Sequence, residues 1–101
     1  MSEAVGQDES GAETHYLLLY DYVEDMASRR GPYRADHLAR IKAEQEAGRV
    51  AMAGALADPP TGAAIVFRGV SAGYVEDFVR DDPYVLAGLV PRWRVERWNL
   101  V

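Results

Sequence analysis

The chain of 101 residues contains no cysteine and only two histidines, His15 and His37. The lack of cysteine excludes disulfide bonds, thiolate nucleophiles and cysteine-ligated zinc. Two histidines are also too few for a histidine-rich metal site, so a metal ion bound within one chain would need carboxylate ligands. We expect a protein that uses neither a metal ion nor an organic cofactor.

Long hydrophobic runs are missing as well. The longest, at residues 16–20, is far too short to cross a bilayer, so we expect no association with a membrane. Residues 1–13 have neither the basic start nor the apolar stretch of a secretory signal, and they do not resemble a transit peptide. The sequence therefore predicts a soluble, cytoplasmic protein.

Positive charge is absent from the N-terminus. Residues 1–13 contain four of the 16 acidic residues and none of the 11 basic ones. Their small, polar side chains bury too little surface to offset the entropy of ordering them, which predicts a disordered acidic leader. Residues 14–101 have room for one domain, are nearly neutral and lack a basic stripe, so we expect no binding to nucleic acid.

Hydrophobic periodicity divides the rest of the chain into strands and helices. Apolar residues fill both faces of the first strand, Pro32 suits the first turn of a helix, and Gly48 suits its end. Ser71 can cap a second helix, and the opposite parities of Trp93 and Trp98 predict a kink or bulge in the last strand. The predicted elements are strands at 15–23, 49–56, 63–68 and 89–101, a loop at 24–31, helices at 32–47 and from Ser71 to about Arg80, and a helical turn at 83–87.

The order β-α-β-β-α-β is the ferredoxin-like pattern, an α+β fold with two helices on one face of a four-stranded antiparallel sheet. The other sheet face also needs a cover, because the first and third strands are apolar on both sides. An identical chain related by a two-fold axis would supply that cover. We therefore expect a homodimer joined through sheet faces.

His37 and Asp82 are the candidate catalytic residues. His37 borders the apolar stripe that Leu38 and Ile41 form on the first helix, while Asp82 precedes Pro83 and suits the N-cap of a helical turn. Each residue also has a purely structural explanation, as a histidine at the core edge or as a simple cap. No serine or cysteine lies in a nucleophile elbow, so we predict proton transfer by His37, oriented by Asp82.

An anionic substrate is suggested by Arg34, one turn before His37, together with Arg29 and Arg30 in the preceding loop. Solvated surface arginines are the alternative. Gly54 marks a point in the second strand where a ligand or a backbone can come close, unless it forms a bulge. The expected substrate-binding residues are Arg34, Tyr20, Gly54 and Tyr84.

Three segments together resemble the YCII-related (YciI-like) proteins. They are Arg-Ala-Asp-His-Leu at 34–38, Glu-Ala-Gly-Arg-Val at 46–50 leading to Ala53-Gly54, and Asp-Pro-Tyr-Val-Leu-Ala-Gly-Leu at 82–89. The resemblance implies a dimeric α+β barrel with a His37–Asp82 pair in a cleft, similar to muconolactone isomerases and to a chloromuconolactone dehalogenase. Ala55 replaces a proline that often follows Ala-Gly in the family, which is expected to reshape the pocket floor.

The predicted function is that of a cofactor-independent enzyme of the lyase or isomerase kind, acting on a lactone or another carboxylate-bearing small molecule. The alternative is a non-catalytic homodimeric module that binds a small ligand or a protein. In an enzyme, His37 and Asp82 should converge in an open cleft beside an arginine. In a binding module, His37 should be sealed, or Asp82 should serve only as a cap.

Overall fold

The computed structural model describes residues 13–101, so the predicted leader lies outside the described residues except for Glu13. The strands are β1 (His15–Asp21), β2 (Val50–Leu56), β3 (Gly62–Arg68) and β4 (Arg92–Arg97), and the helices are α1 (Met26–Arg29), α2 (Gly31–Glu46), α3 (Ala72–Arg80) and α4 (Pro83–Leu86). Within this part of the chain, every helix is too short or too polar to span a membrane.

The four strands form one antiparallel sheet in the order β2-β3-β1-β4, which confirms the predicted ferredoxin-like α+β fold. The central pair is β1 and β3, joined in an unbroken register from His15 opposite Arg68 to Asp21 opposite Gly62. A short connection between β2 and β3 keeps these two strands adjacent, while each helical crossover carries the chain to a non-neighbouring strand position.

The core lies between the sheet and helices α2 and α3. Alternate residues of the central strands face it, among them Leu18 and Phe67, which are fully buried. Val75 and Val79 lie four residues apart on α3 and are therefore on one side of that helix, where both are fully buried. Ser71 caps α3 by accepting a hydrogen bond from the backbone N–H of Tyr74, as predicted.

The opposite face of the sheet is largely apolar and carries no helix in the described residues. Met52, with 63% of its surface exposed, lies there beside Leu17, Ala64 and Val66, and Trp98 reaches over its margin. Its edge on β4 is charged, since the residues opposite Leu17 and Leu19 are Glu96 and Arg94. We call the apolar part, Leu17, Met52, Ala64 and Val66, the outer sheet face.

Two predicted element boundaries were wrong. The predicted loop at 24–31 contains a short helix, α1, which buries Met26 completely and so anchors the segment that leads to α2. The first strand ends at Asp21 rather than at residue 23, because the chain then leaves the sheet: the backbone N–H of Val23 donates to the carbonyl of Leu89 and not to a neighbouring strand.

The last strand also differs from its prediction. It has no bulge, since β4 pairs with β1 in continuous register and Trp98 lies beyond its end. The register shift lies in β2, between Val50 and Met52. On α2, the buried residues are His37 and Ile41, whereas Leu38 is 44% exposed and not part of the buried stripe.

We predict that the outer sheet face joins two copies of the chain, because a contiguous apolar surface is costly to leave in water. Sedimentation velocity at tens of micromolar should give a species of twice the 11.2 kDa chain mass. Replacing Met52 by Lys should weaken the dimer, while Leu86→Lys, at an apolar position on α4 that is at least as exposed, should not. A wild-type species of single-chain mass would contradict the prediction.

Candidate active site

Asp82 is held at the start of α4 by the sequence Asp-Pro-Tyr. Pro83, at the first helical position, has no backbone N–H and so needs no hydrogen-bond acceptor. The Asp82 side chain accepts a hydrogen bond from the backbone N–H of Tyr84 at 2.9 Å. This is the predicted N-cap. The Asp82 side chain is also fully buried, with 0% of its surface exposed, so its carboxylate needs further partners.

Two side chains from distant parts of the chain supply those partners. The Tyr20 hydroxyl donates to Oδ2 of Asp82 at 2.7 Å, and Nδ1 of His37 lies 2.9 Å from Oδ1 and 3.0 Å from Oδ2. Because a carboxylate only accepts hydrogen bonds, Nδ1 of His37 carries the proton and donates it. A neutral His37 therefore has its lone pair on Nε2.

Tyr20 remains a donor over the physiological pH range. Burial, followed by the charge of Asp82 and their hydrogen bond, raises the pKa of the Tyr20 phenol above its ordinary value of 10.0. The hydroxyl is therefore protonated at neutral pH and can donate to the carboxylate. Tyr20 positions Asp82 and does not line the neighbouring cavity.

The imidazole of His37 is fixed from a second direction. Its ring stacks on the ring of Tyr84, with centroids 3.9 Å apart and planes inclined by 13°. His37 is 6% exposed, and among residues 13–101 no side chain or backbone group bonds to Nε2. The ring thus has one nitrogen bound to Asp82 and one nitrogen available to a ligand.

His37 lines a cavity of about 230 Å³ between α2 and the sheet. A cavity of roughly 150 Å³ accommodates benzene, so this one suits a single substituted ring. Its polar lining comes from Tyr22, Arg30, Arg34, His37 and Tyr84. Its apolar lining comes from Leu38, Ile41 and Ile65 and from the small residues Ala53, Gly54, Ala55 and Ala63.

The phenols at this cavity are held in their neutral form. Burial is the largest cause that raises the pKa of both Tyr22 and Tyr84, and the positive charges of Arg30 and Arg34 oppose it in both cases. The two rings meet edge to face with centroids 6.0 Å apart. Their hydroxyl groups therefore act as neutral hydrogen-bonding groups beside two permanent cations.

Most of the predicted site residues do meet here. His37, Arg34, Gly54 and Tyr84 line one cavity, with Asp82 directly behind the imidazole. Tyr20 is the exception: it is 1% exposed and contacts Asp82, so the structure places it behind the pair and away from the cavity.

Gly54 lies at open space rather than at a close backbone contact, since an added Cβ would meet no atom within 4 Å. Ala55, the residue that departs from the family pattern, does lie in the cavity wall. Arg29 does not line the cavity, because it turns away to pair with Asp25 at 3.4 Å.

Tyr22 is a cavity residue that the sequence pattern did not identify as part of the site. Its place in an aromatic run, just beyond the end of β1, was the only signal for it.

A metal site has no ready ligand set in the part of the chain that the structure describes. No three histidine or carboxylate side chains within residues 13–101 come close enough together to hold an ion. The one buried carboxylate, Asp82, is engaged by three protein donors.

We predict that Tyr20→Phe lowers the free energy of unfolding by about 1–3 kcal/mol, because a buried carboxylate loses one of its donors. Urea unfolding measures this. Because the pKa of Tyr20 is raised in the folded state, its contribution to the free energy of unfolding is fully present below pH 10.0, the ordinary pKa of tyrosine. That contribution is lost as the pH rises above this value. The variant should therefore lose less stability than the wild type above about pH 10.

The matched control for this substitution is Tyr33→Phe, a half-exposed tyrosine on α2 whose hydroxyl has no partner within residues 13–101. If Tyr20→Phe unfolds at the same urea concentration as Tyr33→Phe, the hydrogen bond to Asp82 does not stabilise the protein.

Comparison with known proteins places this chain in a family. The structure of 5-chloro-2-hydroxyhydroquinone dehydrochlorinase from Burkholderia phenoliruptrix AC1100, in complex with 2,5-dihydroxybenzoquinone, is similar to this chain with a TM-score of 0.72 and 25% identity. The similarity covers 84% of this chain and 93% of that one. No curated protein sequence matches. The family model of the YCII-related domain matches residues 14–99, and the chain therefore belongs to the YCII-related domain family.

Proposed function

We propose that this protein is a cofactor-independent small-molecule enzyme in which His37 transfers a proton and Asp82 positions and stabilises the imidazole. One observation carries the proposal: Nδ1 of His37 is bound to a buried carboxylate, while the ring lines a cavity with Nε2 unbound within residues 13–101. A general base needs a lone pair that faces its substrate and a partner for the cation that forms.

The proposed step begins with the neutral imidazole. Nε2 takes a proton from the substrate, and Asp82, 2.9 Å from Nδ1, stabilises the imidazolium that results. The electron pair left on the substrate then expels a leaving group, or moves through a double bond and is reprotonated elsewhere by the same nitrogen. The first course is an elimination and the second an isomerisation, and neither needs an oxidant or a reductant.

The similar dehydrochlorinase supports the first course, since its name describes the loss of hydrogen chloride from a small ring. In this chain the corresponding step would send the proton to His37 and release the electron pair with chloride. The cavity of about 230 Å³ suits a substrate of this size, and Arg30 and Arg34 beside it favour a negatively charged one. A lactone with a carboxylate satisfies the same conditions.

A substrate panel tests the proposal. Purified protein is incubated with chlorinated hydroquinones, chlorinated lactones and muconolactone, while chloride release and ultraviolet absorbance are followed. We expect turnover of at least one compound without added metal ion or cofactor. Tight binding of such compounds with no turnover of any would favour the non-catalytic ligand-binding module instead.

We predict that His37→Asn lowers kcat at least about a hundredfold, because general acid–base catalysis by a positioned side chain contributes about that much or more. Asp82→Asn should lower kcat less and retain the cap, since Asn caps helices about as well as Asp. Both rates are measured on the best compound of the panel.

The matched control is His15→Asn, the other histidine of the chain, which lies at the start of β1 and contacts the carbonyl of Glu13. Circular dichroism and thermal melts check that all three variants are folded. Equal loss of activity in His15→Asn and His37→Asn, or full activity in folded His37→Asn, would contradict the assignment of the base.

A further inference from the structure

Two arginines at the cavity differ from most others in the chain. Arg29, Arg49, Arg80, Arg92 and Arg94 each pair with a carboxylate, and Arg40 and Arg68 donate to backbone carbonyls. Within residues 13–101, the guanidinium groups of Arg30 and Arg34 have no such partner, and both line the cavity. Arg30 is the N-cap residue of α2, with helical backbone angles, and Arg34 lies four residues later, so both lie on the same side at the start of the helix.

The cavity lining does not neutralise the positive charges of Arg30 and Arg34. It contains no aspartate or glutamate, and Asp82, the nearest carboxylate to His37, is fully buried and bound to three protein donors. A neutral ligand would leave the two positive charges at the cavity uncompensated. A ligand with one negative charge would reduce that repulsion and accept charge-assisted hydrogen bonds.

Tyr22 adds a directed donor to these charges. Its backbone is anchored by the hydrogen bond from its N–H to the carbonyl of Thr61 at 2.9 Å, and its ring is held edge-on to Tyr84. The hydroxyl has no hydrogen-bond partner within the described residues, and Tyr22 is one of the residues that line the cavity. Because the phenol stays protonated, it can donate to an anion without adding a competing negative charge.

We propose that Arg30, Arg34 and Tyr22 form an oxyanion subsite, so that the substrate class is a small ring bearing an ionised oxygen. The proposal rests on the proposed function and adds to it the group that the enzyme recognises. The subsite holds the oxygen that is already ionised, while Nε2 of His37 removes a proton from another position of the substrate. The electron pair of that broken bond leaves with the leaving group or moves through a double bond, as in the proposed step. The two guanidinium groups and the hydroxyl stabilise the negative oxygen throughout.

A chromophoric anion tests the subsite without any turnover. 4-Nitrophenol absorbs visible light only as its phenolate, so its spectrum reports both binding and ionisation. We expect the wild type to bind the phenolate and to raise its ionised fraction at fixed pH. Arg30→Gln and Arg34→Gln should each weaken binding about tenfold, as the loss of one charge-assisted hydrogen bond predicts. Tyr22→Phe should weaken it less.

Three controls make the result specific. Arg29→Gln removes a neighbouring charge that is already paired with Asp25, and it should bind the probe like the wild type. Arg34→Lys keeps the charge and should recover part of the affinity. 4-Nitroanisole, a neutral ring of similar shape, should bind at least tenfold more weakly than the phenolate.

Benzoate tests whether the natural anionic group is a carboxylate or an ionised oxygen on the ring. If it displaces the phenolate from the wild type and binds more tightly, the natural group is a carboxylate; if it binds less tightly, the group is a ring oxygen. Either order supports the subsite when Arg34→Gln weakens both ligands. Equal binding of anisole and phenolate, or unchanged binding in Arg30→Gln and Arg34→Gln, would overturn it.

His37→Asn separates this test from the proposed function. The variant keeps Arg30, Arg34 and Tyr22, so its phenolate binding should still be weakened about tenfold by the added Arg34→Gln substitution, although it should not turn over substrate. If phenolate binding depends on the arginines but no substrate is turned over, the subsite is supported and the proposed enzymatic function is contradicted. If substrate is turned over but phenolate binding does not depend on the arginines, the enzymatic function is supported and the subsite is contradicted.

Discussion

The buried carboxylate of Asp82 is the group on which the rest of the site depends. A charge in the interior costs several kcal/mol unless donors surround it. Three donors do so here, one each from β1, α2 and α4: the hydroxyl of Tyr20, Nδ1 of His37 and the backbone N–H of Tyr84. Losing any one of them would leave the carboxylate poorly satisfied. The hydrogen bonds that allow the Asp82 carboxylate to be buried therefore also hold β1, α2 and α4 in position relative to one another.

The same arrangement fixes the orientation of the imidazole. Asp82 engages one ring nitrogen of His37 and Tyr84 covers one ring face, which leaves Nε2 as the free polar atom of the ring. The short segment Asp-Pro-Tyr thus supplies the cap, the carboxylate and the stacking surface. Around it, apolar and small residues line the cavity beside Arg30 and Arg34, so an anion in this cavity would interact with the two arginines at a lower effective dielectric constant than in water.

Much of this could be predicted from local patterns in the sequence. Periodicity indicated the element order, and the Asp82-Pro83 step indicated a cap whose carboxylate could reach a histidine. The role of Tyr20 could not be predicted, because alternation assigns a face to a strand residue but not its partner 62 residues away. The position of Tyr22 depends on where β1 ends, and the chain leaves the sheet at Val23, whose backbone N–H donates to the carbonyl of the distant Leu89. Likewise, pairing with Asp25 separates Arg29 from Arg30, although the two are adjacent in the chain.

The central claim is that Asp82 holds His37 with its proton on Nδ1 and its lone pair on Nε2. Two-bond ¹H–¹⁵N correlation spectra of the uniformly labelled protein measure this directly, because the two neutral tautomers of imidazole give different nitrogen shifts and cross-peak patterns. His37→Asn identifies the signals. The account predicts that neutral His37 is the Nδ1–H tautomer in the wild type and that Asp82→Asn loosens this preference. A neutral His37 with its proton on Nε2 in the wild type would contradict it.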